Sequence, residues 1–78
     1  MNRYNDEDIE NLIQNIKFLK KKNMLSKRKM ADILGISIYS LNIIEKGEIP
    51  VRLTVDAIFG LSDYFKIKPA ELLSKRLE

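Results

Sequence analysis

Apolar positions recur along this chain at helical spacing, and no stretch alternates as a half-buried strand would. The first run, Ile9, Leu12, Ile13, Ile16 and Leu19, forms a stripe on one face of a helix. Asn5 is an N-cap residue type, and Asp8 three positions later completes something close to a capping box. Helix 1 is therefore expected to start near Asn5 or Asp6 and to end near Lys22 or Asn23. A second helix is predicted after Ser26, running to about Ile33 or Leu34. Met30, Ile33 and Leu34 supply its apolar contacts, and Ala31 is small where neighbouring helices would touch. Gly35 can take the left-handed conformation that stops a helix and turns the chain. A third helix starts after Ser37 and stops at Gly47, with Lys46 in its last turn and Leu41 and Ile44 on its inward edge. After a connector over 48–52, a fourth is expected from roughly Thr54 to Tyr64, with Val55, Ile58, Leu61 and Phe65 on one broad face. Pro69 suits the first position of a fifth, which Leu72, Leu73 and Leu77 pack back. The pattern predicts one compact all-α domain over residues 1–78, five helices joined by short loops.

Two of these helices carry the most information. Each has its own start signal, a tight turn joins them, and a glycine ends the pair. That is the layout of a helix-turn-helix, over about residues 27–46, whose second helix can enter the DNA major groove.

Composition narrows the alternatives. With 78 residues, the chain holds a single small domain with an economical core. It has neither cysteine nor histidine, which removes disulfides, thiolate metal sites and the commonest general base. No glycine-rich phosphate loop is present, so an enzyme is not expected, and no cofactor or metal is implied. No apolar run is long enough to span a bilayer, and the N-terminus is acidic and polar, unlike a signal peptide. No membrane partner is expected, and a cytoplasmic location follows as the default.

The net charge of +3 matters less than its distribution. Asp6, Glu7, Asp8 and Glu10 make the start of helix 1 acidic, as its dipole favours. Lys17, Lys20, Lys21, Lys22, Lys27, Arg28 and Lys29 then follow without an intervening acid. Such a block also suits a solvated helix end, but beside a helix-turn-helix it is the footprint of a polyanion partner.

Leu25-Ser26, Ala31, Leu34-Gly35-Ile36-Ser37, Leu41, Ile44-Glu45, Gly47, Pro50, Phe65, Ile67 and Leu72 stand in a characteristic order. In that order the chain resembles the lambda-repressor-like, Cro/CI-type helix-turn-helix proteins (the XRE family) from about Ile16 to Leu73. The resemblance implies a five-helix DNA-binding domain, usually a dimer on a pseudo-palindromic operator. It also points to a Lys20–Glu45 ion pair, with lysine in place of the more usual arginine. The periodicity leads to the same pair: Lys20 lies on the buried stripe of helix 1 and Glu45 beside the inward edge of helix 3. The alternative is that both side chains reach solvent separately.

A third helix in the major groove would turn Ile38, Tyr39, Asn42 and Ile43 toward base edges. Members of the family often place glutamine, arginine, serine or threonine at such positions. Here Asn42 is the one amide able to read adenine in the bidentate way, and the isoleucines can meet thymine methyls. Core packing is the competing assignment for Ile38 and Ile43. Phosphate contacts are expected from Lys27, where the family commonly has glutamine, and from Arg28, Lys46 and Arg52. Phe18 is expected to point away from the helix 1 stripe. With Leu53, Phe59, Tyr64, Ile49 and Val51, it leaves a surplus of apolar residues and hence a second interface. The leading reading is a small prokaryotic or phage-type transcriptional regulator, a repressor acting as a homodimer on double-stranded DNA. The alternatives are an antitoxin-like regulator that also binds a toxin, and a domain serving protein–protein interaction without DNA.

Overall fold

The computed structural model describes residues 6–48 and 55–77. Five helices follow in order: α1 Asp6–Lys22, α2 Lys27–Leu34, α3 Ile38–Glu45, α4 Val55–Phe65 and α5 Pro69–Ser74. α1 packs on α5 and α3, α2 on α3 and α4, and α4 on α5. Leu12, Ile13, Ile16 and Leu19 of α1 are buried at the centre with Met30, Leu34, Leu41, Ile44, Leu61 and Leu72. Among the described residues, no helix is long and apolar enough to cross a membrane. The expected N-cap Asn5, the connector residues Ile49, Pro50, Val51 and Arg52, and Leu53 lie outside the described residues.

Four helices end in the same way. The chain takes a positive φ at Met24, Gly35, Gly47 and Lys66. The next amide then reaches back five residues: Leu25 N to Lys20 O, Ile36 N to Ala31 O, Glu48 N to Ile43 O and Ile67 N to Ser62 O. Each bond satisfies a carbonyl that a helix end would otherwise leave free. Gly35 adopts this conformation at no steric cost; Met24 and Lys66 do so against the clash of their own Cβ.

α4 differs from expectation in one respect. Val55 is 52% exposed, whereas Ala57, Ile58 and Leu61 are buried. At 100° per residue, Val55 stands roughly 100° from the centre of that stripe, too far round to share it. Phe18 is also placed differently: it packs partly buried against the core, with the Lys22 ammonium 5.6 Å from its ring centroid.

Two buried polar residues join α1 to the C-terminal segment. Asn15 is fully buried, and its Nδ2 donates to Leu72 O and Lys75 O, both at 2.8 Å. Its Oδ1 accepts from Leu77 N at 2.9 Å. One turn earlier, Asn11 Nδ2 donates to Leu73 O at 3.0 Å, and its Oδ1 accepts from Arg76 Nε at 2.9 Å. The asparagines thus serve as partners for the carbonyls that the short α5 cannot satisfy itself. Among the described residues, no buried side-chain polar atom lacks a partner.

Candidate nucleic-acid interface

The local sequence sets the α2–α3 unit. Ser26 and Ser37 sit in extended conformation just before each helix, and each hydroxyl oxygen accepts from the backbone three residues on, at Lys29 N and Ser40 N, both at 3.0 Å. These are N-caps, and they place Lys27 and Ile38 at the first helical positions. Between them Gly35 turns the chain with φ 71°, its amide bonding Asp32 O at 3.1 Å.

α3 would not persist alone. It has eight residues, and Ile, Tyr, Ser and Asn are indifferent helix formers. Packing holds it: Leu41 and Ile44 are completely buried, each worth about 1.5–3 kcal/mol. Their burial fixes which side of the helix is left over. Tyr39 is 75% and Ile38 42% exposed, while Asn42 and Ile43 are half-buried at the flanks of the outward face.

Three helices meet in an ionic cluster beside that face. Lys20 Nζ, from the last turn of α1, stands 3.4 Å from Glu45 Oε2. Lys27 Nζ, from the start of α2, stands 3.5 Å from the other carboxylate oxygen. The Lys20 and Glu45 side chains are each 23% exposed, which makes their pair worth about 1 kcal/mol and gives it more weight in orienting α3 than in total stability. Lys27 also donates to Asn42 Oδ1 at 2.6 Å. Residues expected in separate roles, Lys27 on a phosphate and Asn42 on a base, are therefore bonded to one another. No local sequence signal announces this contact, because it joins two helices across the turn.

The remaining cations are arranged around the unit. Arg28 is exposed in the first turn of α2, and Lys46 is exposed just past the end of α3. Arg52 lies outside the described residues. Lys29 turns instead toward α4, its ammonium 5.3 Å from the Tyr64 ring centroid. The first turn of α2 contains no acid. Cations at a helix N-terminus oppose the helix dipole, so this arrangement weakens the isolated helix and favours an anion placed there.

A short helix presented outward by its neighbours, with a tight glycine turn behind it and cations at its margins, defines a helix-turn-helix nucleic-acid-binding module. A family model for the Cro/C1-type HTH DNA-binding domain matches residues 16–75, and the chain belongs to that family. No curated protein and no solved structure matches the chain.

Proposed function

We propose that the protein is a small transcriptional regulator, a repressor, that binds double-stranded DNA with α3 in the major groove. The observation that carries this reading is the exposure of Ile38 and Tyr39 on an α3 anchored by Leu41 and Ile44, next to an α2 start that holds Lys27, Arg28 and Lys29 without an acid. In this reading Ile38, Tyr39, Asn42 and Ile43 meet base edges, and Arg28, Lys46 and Arg52 meet phosphates. The protein acts as a homodimer on a pseudo-palindromic operator. Val55 and Phe59, exposed one turn apart on α4, support an apolar contact between copies.

Selection of bound duplexes from a random library at moderate salt tests this. An enriched inverted repeat with half-site centres about 10 bp apart is the expected result. Binding that depends on salt but not on sequence, or no binding, overturns it. A second reading has its own observation, since the exposed face of α3 is led by an isoleucine and a tyrosine. That reading assigns the face to a protein partner, a toxin among them, and gains from a result without duplex affinity.

A further inference from the structure

The bond between Lys27 and Asn42 fixes which atoms α3 can offer to a base. An ammonium carries donors only, so the Asn42 amide must meet it with Oδ1 and turn its two Nδ2 protons elsewhere. The contact is short, 2.6 Å, and charge-assisted, and the same ammonium stands 3.5 Å from Glu45 Oε1. Oδ1 keeps a second lone pair, but a base edge that uses it must set its own N–H dipole against a cation that Glu45 also holds in place. Asparagine reads adenine by donating Nδ2–H to N7 and accepting N6–H on Oδ1. The second half of that contact would bring an N–H donor up to an oxygen that already faces the Lys27 charge. What the pair offers most readily is a set of donors beside a positive charge: the Nδ2 protons and the third ammonium proton of Lys27, whose side chain is 50% exposed. Guanine presents the complementary edge, N7 and O6, both acceptors.

We propose that Lys27 and Asn42 form one cationic, donor-rich reading unit that selects guanine at one position of each half-site, where a free asparagine would select adenine. The proposal rests on the major-groove reading given above. Lys27 then determines specificity in two ways, through its own proton and through the charge it sets beside the Asn42 oxygen. It is not simply a phosphate contact.

The test repeats duplex selection with the wild type, Lys27→Met, Lys27→Arg and Asn42→Ala, each first checked for folding by thermal melting. The wild type should enrich guanine at one position per half-site, and adenine placed there should weaken binding about tenfold. Lys27→Met removes the charge beside Oδ1 and should move that preference toward adenine, whereas Lys27→Arg keeps the charge and the donors and should keep guanine. Asn42→Ala should flatten the preference at that position alone. A wild-type motif with adenine at the position Asn42→Ala flattens overturns the proposal. So does Lys27→Met weakening all sequences equally with guanine retained, because that is the behaviour of a phosphate contact. A wild type that enriches no motif removes the groove reading itself, and this proposal with it.

Discussion

Met24 is a residue in the wrong conformation for its type. Its φ is 54° and the residue is 91% exposed, so the backbone carries the cost of a left-handed methionine with little packing gain. Strain of this kind is worth roughly 1–3 kcal/mol, and glycine avoids it at some cost in unfolded-chain entropy. Met24→Gly is therefore expected to stabilise the domain by about 1 kcal/mol, seen as a rise of roughly 4–8 °C in Tm. An unchanged or lower Tm would show that the turn is relaxed as it stands. The same residue shows where local sequence signals fall silent. Gly35 and Gly47 mark their helix ends because glycine enters the left-handed conformation without a Cβ clash. Met24 and Lys66 make the same turn without that signal.

The helices themselves were largely legible in the sequence, since Ser26, Ser37 and Pro69 are start signals that act within one turn. Their mutual docking was not. Gly60 faces the α2 carbonyl of Ile33, and a Cβ added there would fall inside van der Waals contact with that backbone oxygen. A backbone group at the end of a packed helix has little freedom to retreat. Gly60→Ala should thus cost about 1–3 kcal/mol despite alanine's better helix propensity, measured as a lower urea midpoint. A stabilised variant would mean that α2 and α4 can separate freely. Asn11 and Asn15 make the same point for α1 and α5. Two uncharged polar residues four apart, flanking the apolar stripe of a highly charged helix, were the available clue. Asn15→Leu leaves Leu72 O, Lys75 O and Leu77 N without their partner. A loss of about 2–4 kcal/mol in denaturant unfolding is expected, since each buried unpaired group costs about 1–3 kcal/mol and some will reach water. A loss below about 1 kcal/mol would show that the segment hydrates without penalty.

For the molecule as a whole, electrostatics decides more than the modest net charge implies. Cations stand at the end of α1 (Lys20, Lys21, Lys22), at the start of α2 (Lys27, Arg28, Lys29) and just past α3 (Lys46). In the proposed complex, Arg28→Gln and Lys46→Gln should each lower the slope of log affinity against log salt by about 0.9. Both should leave the preferred sequence unchanged, as read by fluorescence anisotropy on matched and scrambled duplexes. A changed preference with an unchanged slope would place these side chains on bases. The candidate site was legible in outline, because the helical period alone separates Leu41 and Ile44 from Tyr39 and Asn42. What remained hidden was the partnership of Lys27, which depends on how two helices cross.

The hold of Asn15 on the C-terminal segment has a consequence for amide exchange. Leu77 lies three residues beyond the last residue of α5, where a segment outside any helix ordinarily exchanges its amide hydrogens quickly unless they are bonded. Its N–H is instead bonded to a side chain rooted in the middle of α1 and fully buried. Release of that proton requires α1 and the C-terminal segment to part. Leu77 is thus expected to exchange on the timescale of the core amides of α1, and far more slowly than an amide open to water. Fast exchange at Leu77 would show that the segment opens independently of α1.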